Sequence, residues 1–301
     1  MHVLSLVVIV VGVEVARELP WVTWTVAATL AMLAWDVVIL ARRVADRRHS
    51  LDALACETAV DDAMPRRPAS MAGPVELVLV MPAYDEADNL RELLPTRPRE
   101  LLGRTAHLIV IDDGSRDDTA RVAAEHGAWP IRLPTNRGGG FALKTGFAAA
   151  RRLGARHVIT LDADGQHRFA DLPAVLAPLC RGAAQVVIGS RRLGRSFDTS
   201  CLRNLGVRVF SAVLTLLTGQ RITDCSSGLR GLDLARLSSL SLRQRRHHTA
   251  ELIIEGARRG LVIVEVPITI EPRRRGASKK GSSVLYALRF AATIMSTWFR
   301  C

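Results

Sequence analysis

The chain has 301 residues, of which 49% are hydrophobic, and a formal net charge of +12 at pH 7. This length allows one substantial core with additional segments, and the positive charge favours nucleic acid, anionic lipid or phosphorylated substrates as partners. Aromatic residues make up only 5% of the chain, and zinc-ligand spacings and helix-turn-helix signals are absent. Nucleic acid is therefore not expected as a partner. The five cysteines are scattered, which favours reduced thiols in a cytosolic compartment.

Residues 1–45 are predicted to form a membrane anchor. The apolar segment at residues 21–41 carries one charged residue, Asp36, and is long enough to cross ~30 Å of hydrocarbon as a helix. Arg42 and Arg43 begin a basic stretch after it. The positive-inside rule therefore places the rest of the chain at the cytoplasmic face of the cell membrane. The run at residues 3–13 fits a first hairpin arm or an interfacial helix, and buried soluble helices are the alternative for both runs.

Residues 46–74 are polar, interrupted by proline and without a sustained period, which predicts a linker. At the other end, residues 271–301 are predicted to form a basic loop followed by an amphipathic helix. In that helix Thr293 and Ser296 belong to a polar stripe, whereas Leu288, Met295 and Phe299 belong to the apolar side. Such a helix can cap the core or lie in the bilayer interface.

Between these ends, residues 75–270 alternate Val/Ile-rich runs with helical patterns. The predicted strands lie at residues 75–81, 107–111, 129–133, 157–161 and 185–189, and the predicted helices at 88–94, 119–126, 141–153 and 172–179. This alternation indicates an α/β domain with a mostly parallel sheet covered on both faces. Because ligands of such sheets bind beyond the carboxyl ends of the strands, that edge should hold the functional residues.

An Asp-x-Asp pair follows the fourth of these predicted strands. Side chains at positions i and i+2 of an extended segment point the same way, so Asp162 and Asp164 can present two carboxylates together. Oxygen ligands suit Mg²⁺ or Mn²⁺, which would offset the charge of a nucleotide diphosphate. The pair alone is a weak signal, because the same spacing is common in turns.

Two further loops at this edge carry polar residues. Glu86, Asp112 and Asp113 follow the first two strands and can accept hydrogen bonds from a ribose or a base N–H, although Asp112 also suits a plain turn. The glycine-rich loop at residues 136–146 has Leu143 where a Walker-type phosphate loop has glycine. Its glycines are expected to allow close backbone packing beside a nucleotide.

Together these motifs resemble glycosyltransferase family 2, in its dolichyl-phosphate mannosyltransferase and polyprenyl-phosphate glycosyltransferase branch. The resemblance covers roughly residues 75–280. Its motifs are Pro82-Ala83-Tyr84-x-Glu86, Asp112-Asp113-Gly114-Ser115, Asn136-x-Gly138-x-Gly140-x-Ala142, Asp162-x-Asp164-x-Gln166, Gly189-Ser190-Arg191, Asp224-x-Ser226-Ser227-Gly228-Leu229-Arg230 and Glu265-Val266-Pro267-Ile268. It implies a GT-A fold. The N-terminal transmembrane segment and the C-terminal amphipathic helix predicted above would be attached to this fold. The implied reaction is an inverting transfer from a nucleotide-diphosphate sugar, GDP-mannose or a UDP-sugar, to a membrane polyprenyl phosphate.

The resemblance also implies roles for single residues. It assigns the nucleotide base and ribose to Pro82, Tyr84, Glu86 and Asp113, the metal to Asp162, Asp164 and Gln166, the acceptor phosphate to Arg191 and Arg203, and a loop closing over the diphosphate to Arg273 and Lys279. Asp164, Arg191, Arg203 and Arg273 are the expected catalytic residues. Val207 stands where a hydroxyl residue often completes the acceptor site, which removes one expected hydrogen bond.

The nature of the acceptor decides whether a catalytic base is needed. A phosphate acceptor is already ionised near neutral pH, whereas a hydroxyl acceptor needs a base to take its proton. Glu251 and Asp224 are the candidate bases for a hydroxyl acceptor. A membrane-tethered binding protein without activity is a further alternative, and so is a nucleotidyltransferase. Against the latter, the chain has Pro-Ala-Tyr-Asp-Glu where such enzymes carry a glycine-rich loop.

Overall fold

The computed structural model describes residues 20–197, 201–237, 240, 242–245, 248–273 and 283–300. The chain divides into two compact units, residues 1–52 and 53–301. Helix α1 (Pro20–Ala63) begins in the first unit and ends in the second. Across the ranges given above, no helix combines the length and the hydropathy needed to cross a membrane. The predicted span at residues 21–41 is therefore not confirmed, and the run at residues 3–13 lies outside the described residues.

The prediction of an irregular linker from residue 46 is wrong for its first half, because α1 continues to Ala63. In the second unit, Cys56, Val60 and Ala63 are buried in the core. Their spacing of four and three residues places them on one face of the helix. The Ala63 carbonyl also accepts a hydrogen bond from the Trp129 indole N–H at 3.3 Å. Residues 53–63 thus belong to the folded second unit.

The second unit is built on one mixed sheet. Its strands in the described part of the chain are β1 (Leu77–Ala83), β2 (Glu100–Leu101), β3 (Arg104–Asp112), β4 (Trp129–Arg132), β5 (His157–Thr160), β6 (Val186–Ser196), β7 (Arg230–Asp233) and β8 (Ile263–Ile270). The order is β2-β3-β1-β5-β7-β6-β8, with β4 beside β3. Strands β1, β3, β4 and β5 are mutually parallel, whereas β7 is antiparallel to β5 and β6. The predicted parallel part is confirmed, and the sheet as a whole is mixed.

Helices cover both faces of this sheet, as expected. They are α2 (Ala87–Leu93), α3 (Thr119–Glu125), α4 (Gly139–Arg152), α5 (Leu172–Cys180), α6 (Cys201–Thr218), α7 (Leu234–Leu237), α8 (His248–Arg258) and α9 (Ser283–Trp298). Alternate residues of each central strand enter two separate cores: Val78 and Val80 of β1 face one core, and Leu77 and Leu79 face the other. This is the period of two expected for a strand buried on both sides.

The C-terminal helix α9 caps one of these cores. Phe290, Ile294 and Thr297 are buried, and the Phe290 ring lies 4.9 Å from the Phe210 ring of α6. Thr293, predicted for the polar stripe, is also buried, and its hydroxyl donates to the Arg289 carbonyl at 3.0 Å. That local hydrogen bond satisfies the hydroxyl inside the helix, so a polar residue can lie on the buried face.

Candidate active site

The loop after β1 brings Glu86 to the carboxyl edge of the sheet. Glu86 is 8% exposed, and its backbone N–H donates to the Thr119 hydroxyl at 3.0 Å. One carboxylate oxygen accepts from the Asn89 amide at 2.5 Å, and the other accepts from the Arg273 guanidinium at 2.5 Å. Glu86 therefore joins the loop after β1 to the segment after β8.

The residue after β3, Asp113, anchors the glycine-rich loop. Its two carboxylate oxygens accept the backbone N–H groups of Arg137 and Gly138, each at 2.8 Å. Burial raises the pKa of Asp113, and these two hydrogen bonds oppose the rise. Gly140 packs on the backbone of Gln244 and Arg245, where any Cβ would collide. The expected close backbone packing of the glycines is thus present at Gly140.

The paired carboxylates differ in exposure. The side chain of Asp162 is 41% exposed, and that of Asp164 is 13% exposed. Burial, and then the charge of Asp162, raise the pKa of Asp164. A Cβ at Gly228 would approach the Asp162 carboxylate to 2.7–2.9 Å, so glycine is needed for this carboxylate to occupy its place. The described residues hold no cluster of three or more His, Cys, Asp and Glu side chains suited to a metal.

These two carboxylates fit one kind of cation. Oxygen donors that repel each other favour a hard divalent ion, and Mg²⁺ commonly takes only one or two carboxylates, with water and phosphate completing its shell. The side-chain NH₂ of Gln166 donates to the Glu271 carbonyl at 3.2 Å, and the predicted role of Gln166 as a metal ligand, for which its amide oxygen would serve, stays a prediction. The Gln166 carbonyl in turn accepts from the Glu271 N–H at 2.9 Å. Gln166 thereby ties the acidic loop to the segment that carries Arg273.

Arg273 links the two acidic loops of this edge. Beside its contact with Glu86, it lies 3.5 Å from an Asp164 carboxylate oxygen. The structure thus brings Glu86, Asp164 and Arg273 together, as the sequence predicts for a donor site. Pro82, near the end of β1, and Tyr84, on the loop after it, are both half-buried. The side chain of Arg203, at the start of α6, and Lys279 lie outside what the structure describes.

Arg191, predicted to bind the acceptor phosphate, is held by a buried carboxylate. Its Nε and one Nη donate to the two oxygens of Asp224 at 2.6 and 3.0 Å, and the same Nη donates to the Ser226 hydroxyl at 2.6 Å. Burial alone would raise the pKa of Asp224, but the adjacent Arg191 guanidinium brings it below its ordinary value. Asp224 is fully buried. Its hydrogen bonds to the Nε and one Nη of Arg191 fix the orientation of the guanidinium.

Glu251, the other candidate base, also has a structural role. It is fully buried, and its oxygens accept the backbone N–H groups of Arg243 and Gln244, each at 2.8 Å. Arg300, just after α9, donates to it at 2.8 Å. Glu251 thus fastens the C-terminal helix and the loop before α8. Asp224 and Glu251, the two carboxylates suggested as bases, are therefore both inaccessible to a hydroxyl acceptor.

Two residues of the site were not assigned a role from the sequence. Glu265 binds the turn that carries Asp224. Arg230 is buried and donates to the carbonyls of Ser227, Cys225 and Thr249. Both belong to motifs of the resemblance. The partners of Glu265 are more than 40 positions away, and Arg230 joins its own loop to Thr249, so only the fold reveals what the two residues hold.

The mixed sheet with acidic loops and paired carboxylates at its carboxyl edge defines an α/β enzyme of the nucleotide-binding class. Residues 78–236 match the family model described as glycosyl transferase family 2, and the chain belongs to this family. It is a glycosyltransferase, as the sequence predicts. The expected GT-A-like fold is confirmed by glucosyl-3-phosphoglycerate synthase from Mycobacterium tuberculosis, crystallised with Mn²⁺ and uridine diphosphate. That structure has a TM-score of 0.60 and 23% identity, with 76% of this chain and 81% of that chain covered.

Among curated relatives, the UDP-N-acetylglucosamine–dolichyl-phosphate N-acetylglucosaminyltransferase of Methanococcus voltae is 31% identical. The match covers 64% of this chain and 84% of that protein. The undecaprenyl-phosphate mannosyltransferase of Micrococcus luteus is 28% identical over 70% of this chain and 90% of its own. These names bear out the predicted likeness to the polyprenyl-phosphate branch of the family.

Proposed function

We propose that this enzyme transfers a sugar from a nucleotide-diphosphate donor to a polyprenyl phosphate at the cytoplasmic face of the cell membrane. The observation that carries the proposal is the burial of both candidate bases, Asp224 and Glu251, each 0% exposed and hydrogen-bonded. A hydroxyl acceptor would find no base in either of these two residues, whereas a phosphate acceptor is already ionised. The names of the curated relatives support the same acceptor class.

The donor would bind at the edge where Glu86, Asp113, Asp162, Asp164 and Arg273 lie. Asp162 and Asp164 would hold Mg²⁺ or Mn²⁺, which supplies positive charge against the leaving diphosphate. The Mn²⁺ complex of the structurally similar synthase supports this reading. Arg273 would add a guanidinium beside the same phosphates, since it already bridges the two acidic loops. The proposed donor is GDP-mannose or a UDP-sugar, and the proposed transfer inverts the anomeric centre.

The acceptor phosphate would bind to Arg191, held by Asp224, together with Arg203, whereas Lys279 would join Arg273 at the donor diphosphate. The Nε and one Nη of Arg191 already bind Asp224 and Ser226. The two parallel hydrogen bonds that a planar guanidinium can form with a phosphate would therefore come from Arg203, and they would fix the direction of the attacking oxygen. Val207 is buried and offers no hydroxyl, so the arginines carry this contact. The protein then has one main task, which is to hold two anionic groups close to each other.

Exposed apolar stripes support a membrane-bound acceptor. Helix α6 exposes Leu205, Val209 and Leu216 at helical spacing, with 57%, 52% and 85% of each residue accessible. The adjacent helix α9 exposes an apolar stripe that includes Leu288 and Met295, 64% and 54% accessible. Basic side chains, Arg208 and Arg289, are also exposed on the two helices. Apolar side chains flanked by arginine suit an anionic bilayer interface, and α1 would add a tether or span there.

The test is to incubate the purified full chain with Mn²⁺, a panel of sugar nucleotides and polyprenyl phosphates of several lengths. Mass spectrometry of the lipid fraction should find one sugar joined to the phosphate of the lipid. Formation of a sugar–lipid phosphodiester with at least one donor supports the proposal. Sugar transfer only to water-soluble hydroxyl compounds would overturn it.

A further inference from the structure

Glu265 has contacts that no catalytic role explains. It lies on β8, paired with Ile188 of β6, and its carboxylate faces the turn that precedes Asp224. Its Oε1 accepts the backbone N–H groups of Thr223 and Asp224, each at 2.9 Å. Its Oε2 accepts the Thr223 hydroxyl at 2.6 Å. The carboxylate thus gathers three neutral donors from two successive residues.

The same turn forms hydrogen bonds with Arg191 and with the residue before it. The Thr223 hydroxyl lies 2.7 Å from that of Ser190, the residue before Arg191. Since the Thr223 hydroxyl donates to Glu265, Ser190 must donate to Thr223. Asp224, the next residue of the turn, accepts both the backbone N–H and the guanidinium Nε of Arg191. The turn that Glu265 binds therefore fixes both the backbone and the side chain of Arg191.

We propose that Glu265 is a positioning residue for acceptor binding, acting on Arg191 through the Thr223–Asp224 turn. The inference rests on the proposed role of Arg191 toward the polyprenyl phosphate. Glu265 touches neither substrate in this scheme. Its effect should therefore fall on the affinity for the acceptor and spare the affinity for the donor, because the acidic residues of the donor edge lie on the loops after β1, β3 and β5.

The chemistry of the site requires a carboxylate. Two backbone N–H groups and one O–H group point at Glu265, and both carboxylate oxygens accept. Glutamine keeps the size but has a single acceptor oxygen, and its NH₂ group would face a donor. With the glutamine oxygen in the place of Oε1, the NH₂ group would face the Thr223 hydroxyl, which could no longer donate to residue 265. The hydroxyl would have to turn, its link to Ser190 would be disturbed, and the turn would become freer to move. Glu265→Gln is thus a nearly isosteric change with a defined local consequence.

The experiment compares Glu265→Gln with Glu76→Gln, which also removes one carboxylate but at the amino-terminal edge of the sheet, where Glu76 pairs with Arg104. We expect Glu265→Gln to raise the KM for polyprenyl phosphate about tenfold, as loss of one hydrogen bond to a charged group would. The KM for the sugar nucleotide should stay within about twofold. Glu76→Gln should change neither. Equal changes in both constants would overturn the proposal.

A double-mutant cycle separates positioning from general loosening. If Glu265 acts through Arg191, adding Glu265→Gln to an Arg191→Lys chain should raise the acceptor KM by less than it does in the wild type. Strictly additive effects would overturn the proposal. Should Glu265→Gln not fold, Thr223→Val tests the same turn by removing the hydroxyl that bridges Glu265 and Ser190, and it must show the same selective rise in the acceptor KM.

A separate readout distinguishes failure of this inference from failure of the proposed function. If the wild-type chain transfers no sugar to polyprenyl phosphate, the proposed function fails, and the positioning of Arg191 is then read by NMR. The Nε–H of Arg191, assigned by its loss in Arg191→Lys, should exchange slowly with water in the wild type and at least about tenfold faster in Glu265→Gln, because the hydrogen bond to Asp224 loosens. Unchanged exchange would overturn the positioning role.

Discussion

The paired carboxylates of the proposed donor half differ in exposure from two buried carboxylates of the proposed acceptor half. The donor half comprises β1, β3, β4 and β5 with the loops after them, and the acceptor half comprises β6, β7 and β8 with α6, α8 and α9. In the donor half, 41% of the Asp162 side chain and 13% of the Asp164 side chain are exposed. In the acceptor half, Asp224 and Glu251 are fully buried. The two carboxylates proposed to bind the cation are thus the more exposed ones, and the two fully buried carboxylates support the fold.

The difference follows from how each charge is balanced. A buried carboxylate is tolerated only with a cation or several N–H groups around it. Asp224 has Arg191, and Glu251 has Arg300 with two backbone N–H groups. Asp164 is incompletely balanced, because burial and Asp162 raise its pKa. A divalent cation is the partner that would balance Asp162 and Asp164 together.

The largest expected effect is at the donor half. Asp164→Asn should lower kcat/KM at least about 1000-fold, because it removes a ligand of the cation that offsets diphosphate charge. Steady-state transfer assays with and without a chelator measure this. Asp61→Asn, at an exposed ion pair with Arg152, is the control and should retain full activity. Wild-type activity that survives complete removal of divalent cations would contradict the assignment.

Glu251→Gln tests the other side of the comparison. It should lower the free energy of unfolding by about 3 kcal/mol, because Arg300 loses its buried partner. The folded variant should keep kcat/KM within about threefold for polyprenyl phosphate. Urea titration and transfer assays on the same preparation measure both, with Glu57→Gln at a surface ion pair as control. A folded variant whose kcat falls 1000-fold would make Glu251 a base after all.

Residues 53–63 should stabilise the donor half, against which they pack. Val60 is fully buried, whereas Leu54 of the same helix is 64% exposed. Val60→Ala should cost about 2 kcal/mol of unfolding free energy, and Leu54→Ala less than about 0.5 kcal/mol. Urea denaturation of both variants provides the measurement. Equal losses of unfolding free energy at the two positions would mean that this segment is a linker.

A smaller effect concerns pH. Burial, followed by the charge of Arg156, lowers the pKa of His157 from 6.5, and its ring nitrogens have no hydrogen-bond partner in the described part of the chain. Below pH 6.5 His157 therefore binds a proton in the unfolded chain but not in the native state, so the free energy of unfolding falls as the pH drops below 6.5. His157→Leu should flatten the decline of unfolding free energy between about pH 7 and pH 5. An unchanged slope would exclude His157 as a source of the decline.

The sequence predicts the parallel strands and the acidic loops well, because Val/Ile runs and motif spacing are local signals. It fails where partners are distant. The helical spacing of Cys56, Val60 and Ala63 is hard to recognise in the sequence because polar and charged residues lie between them. The end of α1 therefore resembles a linker. The carboxylate of Glu251 looks catalytic until Arg300, 49 positions away, is seen beside it. Its structural role depends on tertiary contacts that no local pattern encodes.

The most direct test of the account compares two acceptors that differ only in the phosphate: a polyprenyl phosphate and the corresponding polyprenol, each offered with the same sugar nucleotide and Mn²⁺. The account predicts transfer to the phosphate and none measurable to the alcohol, because Asp224 and Glu251 are buried and bound and cannot take a hydroxyl proton. Comparable glycosylation of the alcohol would contradict it and would require a base elsewhere in the acceptor half.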